Sequence, residues 1–432
     1  MLVQSAPMTA RATRPELWLF GLVVLMLSGV PTALYTRLFG FNPPASDAVL
    51  LVPVLGMMVL NTILRLRETV FGALALWTWT GIAALAALST AWSVSPSDTV
   101  RESLILMVVV PYLGMVAGLA DWRELLAKLW QVGLGLFAIS LALYMFAPGF
   151  GQMQDSYAGA LIGPFYEKNT AGQFLTWFTL VGFARAALAP EKGWLFLAIS
   201  GAAMGALVLT QSATSLIAAL AGTAVFVWVV LMRRTPALSI PTFLVTLGCA
   251  VPVALVLSAE GLAVLDWLGR SESLTGRIPI WQAIDTYSLS ERPWRGHGYA
   301  AYWSDAYEFG RREYIYDDLG YKARHSHNSL VEMRLDLGWV GAALFLAAAA
   351  QAGAMALFRL RGSQGAYFAL PFLAAVIPVG FAEANLVSAL NWGGMLFILV
   401  LAKSTLRRGQ TDRRSALWMW LNRLRAPQTV AS

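Results

Sequence analysis

Apolar runs of roughly twenty residues recur twelve times along this chain, near 17–36, 47–64, 69–90, 103–120, 125–147, 170–188, 193–210, 213–232, 241–260, 330–357, 365–382 and 387–406. A run of that length crosses a hydrocarbon core of about 30 Å as a helix, which satisfies its own backbone hydrogen bonds where no water can. Of the 432 residues 58% are hydrophobic and 13% charged, too few polar side chains to clothe a soluble fold. The sequence therefore predicts an all-α integral membrane protein of about twelve transmembrane helices.

Basic residues in the short connections set the orientation, because Lys and Arg stay on the side from which insertion proceeds. Arg11 and Arg14, Arg65 and Arg67, Arg123 and Lys128, Arg185 and Lys192, Arg233 and Arg234, and Arg359 and Arg361 alternate onto one side, with the tail from Lys403 to Arg425. Only Arg37, Arg101 and Lys168 fall in the opposing short loops. Both termini are thus expected in the cytoplasm, and the net charge of +7 reads as topology, with no nucleic acid partner implied. The chain divides into a membrane bundle over 1–260, a large external loop over 261–329 between spans nine and ten, and further membrane helices over 330–407. A basic amphipathic segment over 408–432, with Leu417, Trp418, Trp420 and Leu421 among arginines, suits an anionic lipid surface.

Ionisable groups are almost absent from the span centres, which argues against a polar path at the midplane and so against a transporter. A scaffold without catalysis would keep the topology and would not need the polar groups of the loop. That loop, with its exit, holds all three histidines, His297, His325 and His327, together with charged residues and aromatics such as Trp267, Trp281, Trp294, Trp303 and Tyr314. Aromatic faces stack on sugar rings and guanidinium forks fit phosphate oxygens, so a sugar and phosphate ligand matches this mixture. The single cysteine, Cys249, excludes an intrachain disulfide and a cysteine-based metal site. Glu332, just inside span ten, needs a partner there, either Arg334 or a catalytic group that it would orient.

The sharpest local pattern is His327-Asn328, nine residues, then Gly338-Trp339-Val340-Gly341. Upstream stand Leu274-Thr275-Gly276-Arg277 with Trp281, and Arg292-Pro293-Trp294-Arg295-Gly296-His297-Gly298-Tyr299. In these stretches the chain resembles the O-antigen ligase and Wzy polymerase superfamily. Trp92-Ser93-Val94-Ser95-Pro96 with Arg101, and Gly163-Pro164-Phe165 with Lys168-Asn169, are similar to the ExoQ-type exopolysaccharide polymerases within it.

The resemblance implies a multi-pass enzyme of the bacterial inner membrane. It implies transfer of glycan from an undecaprenyl-diphosphate donor to an acceptor sugar on the periplasmic face, without cofactor or metal. Other polysaccharide assembly proteins and membrane lipids are the further partners it suggests. It makes a repeat-unit polymerase the first expectation, and a ligase acting on lipid A core the alternative. His327 is expected as the base that takes the acceptor proton, and Arg277 with Lys168 as cations for the diphosphate. Asn169, Arg101, Arg295, Asn328, Glu332 and Trp294 are the further candidates for diphosphate or sugar contacts. One departure is visible: the family often carries a basic residue before span eight, where this chain has Gln211-Ser212-Ala213-Thr214, so a second cation must come from Lys168, Arg101 or Arg295. No Asp-x-Asp pair stands in the external loops, leaving Asp317-Asp318 as the only acidic alternative for a metal. Gly338 and Gly341 are expected to let two helices approach closely.

Overall fold

A computed structural model describes residues 11–39, 43–154, 157–235, 237, 241, 277–304, 312–320, 322–388 and 390–406. The described residues are all-helical, with one isolated bridge, between Gln152 and Leu161, as their only β pairing. The helices are α1 (Arg14–Met26), α2 (Val30–Phe39), α3 (Pro43–Leu64), α4 (Leu66–Ala75), α5 (Trp77–Ser89), α6 (Pro96–Leu119), α7 (Trp122–Phe146), α8 (Lys168–Leu188), α9 (Gly193–Leu209) and α10 (Ala213–Arg234). Beyond them come α11 (Arg277–Ile284), α12 (Arg312–Leu319), α13 (Ser329–Phe358), α14 (Ala366–Ala382) and α15 (Trp392–Thr405).

Local sequence explains where several of these begin. Thr13 with Glu16, and Asp121 with Glu124, form reciprocal capping boxes at α1 and α7, and Pro96 opens α6 where no backbone donor is needed. Asn328 and Asn391 cap α13 and α15 through their side-chain oxygens.

Among the described residues five helices are long and apolar enough to cross a membrane, or up to seven when each bent pair counts as one span. The chain is a multi-pass membrane protein. The first expected span bends by 53° between α1 and α2, at Gly29, whose φ is +71°. The expected span at 69–90 is interrupted at Leu76, where φ is −96° and ψ 31°, so that α4 and α5 are separate helices and α4 turns 101° from α3. Gly72 of α4 meets Gly114 of α6 backbone to backbone, an approach any side chain at either position would block. α14 and α15 are shorter apolar helices. The expected span at 241–260 and the tail at 408–432 lie outside the described residues.

α6 and α8 are buried on most sides, whereas α9 and α10 bury one face and present Trp194, Leu197, Val208 and Leu220 outward, as lipid-facing helices do. A second, smaller cluster of Ile280, Ile284, Leu289, Tyr302 and Ile315 closes against Leu335, giving the segment after α11 its own core.

The basic residues of the charge pattern gather at one end of the bundle. Arg65 pairs with Glu16 at 2.7 Å, and Arg185 donates to the Arg123 carbonyl at 3.3 Å. Arg233 donates to the Leu360 carbonyl at 3.2 Å, Arg359 to that of Leu406 at 2.7 Å, and Lys403 to that of Ala117 at 2.9 Å. Several of these take the orphan carbonyls of helix C-termini, where a cation is favoured. Arg277, His327 and Lys168 lie where α11, α13 and α8 begin.

Candidate active site

The site is built where α13 starts and α14 ends. Asn328 accepts from the backbone N–H groups of Leu330 at 2.9 Å and Val331 at 3.1 Å, and its Nδ2 donates to the Phe381 carbonyl at 3.3 Å. Ser329 Oγ donates to the Glu383 carbonyl at 2.7 Å. Together these tie the first turn of α13 to the residue that follows α14. Asn328 is thus a helix cap here, which accounts for its place in the motif.

His327, one residue before that cap, has φ +53°, a left-handed conformation costly for a residue with a Cβ. Its Nδ1 lies 3.3 Å from Glu383 Oε2. The other carboxylate oxygen, Oε1, accepts from Arg277 Nη2 at 3.0 Å and from Asn169 Nδ2 at 2.9 Å. One carboxylate therefore joins α11, α13 and α8. Burial alone would push the Glu383 carboxyl up, but the His327 hydrogen bond, the Arg277 charge and the two histidines outweigh it and hold it below its ordinary range. Glu383 is 4% exposed and the His327 side chain 31%, so the anion is enclosed while the imidazole can meet a substrate.

Asn169 is oriented in turn by Ser212 Oγ, which donates to its Oδ1 at 2.9 Å and lies 2.9 Å from Ser215 Oγ. Lys168 Nζ donates to the Gln211 carbonyl at 3.2 Å and stands 2.9 Å from the centre of the Tyr157 ring. A cation thus lies beside the Gln211-Ser212-Ala213 turn whose own sequence supplies none.

The loop bearing the histidines is fixed from beneath. Glu332 Oε2 accepts the Ser326 N–H at 2.8 Å, Trp281 Nε1 donates to the Ser326 carbonyl at 2.8 Å, and Ser326 Oγ donates to that of Asn328 at 2.9 Å. Of the two partners considered for Glu332, Arg334 is turned away and lies over the Trp339 ring at 4.1 Å, while Glu332 holds the histidine-bearing loop through Ser326. His325 stacks obliquely on His327 with ring centres 3.9 Å apart, and its Nδ1 accepts the His327 N–H at 3.3 Å. Burial and the neighbouring His327 push the His325 imidazole down to about 4.

Gly338 does something other than the expected helix contact. Its φ of +64° breaks α13, and the freed groups are taken by the 293–298 segment. Trp339 N–H donates to the Pro293 carbonyl at 2.8 Å, and the N–H groups of His297 and Gly298 donate to the carbonyls of Leu335 at 2.8 Å and Asp336 at 3.0 Å. A Cβ on Gly338 would fall 2.2 Å from the Trp294 backbone. The two glycine-bearing motifs are therefore one structural unit.

Arg101, Arg295 and Trp294 are placed elsewhere. Arg101 pairs with Asp98 at 3.5 Å and Glu102 at 3.1 Å. Trp294 and Arg295 are exposed, and the Arg295 carbonyl accepts from Trp92 Nε1 at 3.1 Å. Among the described residues no hydrogen bond or ion pair links these three to Glu383. His297 is buried, with Nε2 3.2 Å from the Ser288 carbonyl. Asp318 bonds the Tyr287 hydroxyl. Sequence reasoning missed Glu383, Ser212 and Ser215. The signal for Glu383 was a lone carboxylate at the end of an apolar helix.

A family model described as O-antigen ligase matches residues 195–346, from within α9 to within α13. Over that stretch the chain is similar to the O-antigen ligase family, which supports a place in the O-antigen ligase and Wzy polymerase superfamily. The matched stretch contains Arg277, His325, His327, Glu332 and Gly338, while Asn169 and Glu383 lie outside it. No curated protein matches the chain. The match supports an enzyme with a membrane ligase or polymerase role.

Proposed function

We propose that this protein is an inverting, metal-independent glycosyltransferase that moves glycan from an undecaprenyl-diphosphate donor to an acceptor sugar on the periplasmic face of the inner membrane. The observation that carries the proposal is the shared carboxylate: a base and a phosphate-binding cation held on one anion act on opposite sides of one anomeric carbon. Glu383 accepts the Nδ1 proton of His327, which leaves Nε2 with its lone pair toward the substrate. The acceptor hydroxyl oxygen attacks the anomeric carbon as Nε2 takes its proton, and the bond from that carbon to the diphosphate oxygen breaks. The diphosphate leaves with the electron pair, stabilised by Arg277 and Lys168, and Glu383 stabilises the imidazolium that forms. Attack opposite the leaving group inverts the centre.

A recess of about 200 Å³ beside Thr170, lined by Met26, Leu50, Leu51, Phe165 and Leu390, supports lateral approach of a lipid-linked donor next to Asn169. In this reading the chain has about twelve spans, both termini in the cytoplasm, and the loop over 261–329 in the periplasm. Repeat-unit polymerisation is the first assignment, on the stretches Trp92 to Arg101 and Gly163 to Asn169. A ligase onto lipid A core is the second, in keeping with the match to an O-antigen ligase family. Purified protein with a lipid-linked oligosaccharide and a panel of acceptors decides between them. A ladder of chain lengths indicates the polymerase, a single mass increment on lipid A core the ligase, and no transfer to any acceptor rejects the proposal. Activity should persist in EDTA.

A further inference from the structure

The interaction between His327 Nδ1 and Glu383 Oε2 is long for a charge-assisted hydrogen bond, for which about 2.7–2.9 Å is usual. At 3.3 Å it matches another geometry, the edge of a tetrahedron around zinc, where ligands about 2.0–2.1 Å from the ion stand about 3.3 Å from each other. The third corner is at hand. His325 stacks beside His327, and one ligand atom from each of His325, His327 and Glu383 lies within 4.8 Å of the other two. His325 Nδ1 is occupied by the His327 N–H, so its Nε2 is the atom available to a metal.

We infer that His325, His327 and Glu383 form a reversible inhibitory site for Zn²⁺ or a similar borderline transition-metal ion. The inference rests on the reading of His327 as base. Two imidazoles and one carboxylate select zinc-like ions over Mg²⁺ or Ca²⁺, which take oxygen ligands, and water would complete the tetrahedron. A metal between His327 Nδ1 and Glu383 Oε2 moves the imidazole proton to Nε2. That nitrogen can then no longer accept the acceptor proton, and the protein loses its base without unfolding. Arg277, on the other oxygen of the same carboxylate, repels the ion and weakens the site, which makes it reversible and distinguishes it from a structural zinc centre.

The test uses the full-length protein in detergent, stripped with EDTA. Zn²⁺ binding is read by competition with a chromophoric chelator, Co²⁺ binding by its visible spectrum, and turnover is followed in parallel. His325→Asn is the informative variant, because an amide oxygen can still accept the His327 N–H while the Nε2 ligand is gone. The expected result is one Zn²⁺ per chain, a tetrahedral Co²⁺ spectrum, and turnover abolished by the metal and restored by chelator. His325→Asn should bind Zn²⁺ at least about tenfold more weakly, and the metal-free turnover it retains should be correspondingly less sensitive to Zn²⁺. Absence of binding, or a variant as zinc-sensitive as the parent, overturns the inhibitory site and leaves the glycosyltransferase assignment standing on its EDTA-resistant activity. Stimulation of stripped protein by Zn²⁺ overturns both the inhibitory site and the metal-independent mechanism.

Discussion

Glu383 and His327 are separated by 56 positions and by the whole of α14, yet their side chains lie 3.3 Å apart. If that contact orients a base, both ends of it matter to chemistry. His327→Ala and Glu383→Gln should each lower turnover by about 10²–10⁴-fold, the range for a general base that is lost or misoriented. Donor binding to His327→Ala should stay near that of the parent. Turnover, donor binding and thermal stability measured on one preparation separate this from unfolding: losses that follow stability alone would make the pair structural.

Arg277 faces a different demand, since a guanidinium at the diphosphate contributes to donor affinity and to departure of the leaving group. Arg277→Ala should raise the donor KM and lower kcat, with kcat/KM falling about tenfold to a hundredfold, as for a lost charged hydrogen bond. Arg277→Lys should recover part of this, because it restores charge without the bidentate fork. Steady-state kinetics against donor concentration provides the check, and a pure kcat effect would move Arg277 out of the donor site.

Stability should rise with pH across the acidic range for two reasons. Glu383 titrates below its ordinary 4.5 in the folded protein, so its contribution is complete above that value and is lost as pH falls through the lowered one. His325 titrates near 4 against an ordinary 6.5, so between those values the unfolded chain takes up a proton that the folded one refuses. His325→Asn should therefore flatten the dependence between about pH 4 and 6.5 and leave the lower limb. Thermal unfolding across a pH series reads both limbs.

Gly338→Ala combines a left-handed backbone with a Cβ against Trp294, and strain at such a position costs about 1–3 kcal/mol. It should lower thermal stability and displace the turn that carries His327. Gly353→Ala, in the same helix with nothing within 4 Å of the added methyl, should be neutral or slightly stabilising. Fluorescence-detected unfolding of the pair tests the contrast.

Orientation is open to chemical labelling in a Cys249→Ala background. A cysteine at Ser290 should react with an impermeant maleimide on cells with a permeabilised outer membrane, and one at Gly362 only after the inner membrane is opened. Labelling of Gly362 in the first condition would invert the topology.

Much of this arrangement was legible before any coordinates. Long apolar helices follow from the demands of hydrocarbon, and their basic connections meet at one end because one charge rule governs all of them. Arg277 and His327 stood out because motif and chemistry coincided. Glu383 did not, because a single acid after an apolar run has no fixed spacing to the histidine that it serves, and Ser212 resembles any serine before a helix. The break at Gly338 was also hidden. An isolated glycine in a helical pattern does not say whether it meets another helix or opens the ladder to a loop, and only the Pro293 to Gly298 segment decides that.

The position of Glu383 also dates the birth of activity. Ribosomes deliver this chain from its N-terminus, so Arg277 and His327 emerge well before the residue that joins them. Until α14 has threaded into the bilayer, the nascent protein holds a base without its anion and a cation without its anchor. In the proposed reading, lipid-linked sugar met by a chain that has not yet reached Glu383 would find no assembled centre.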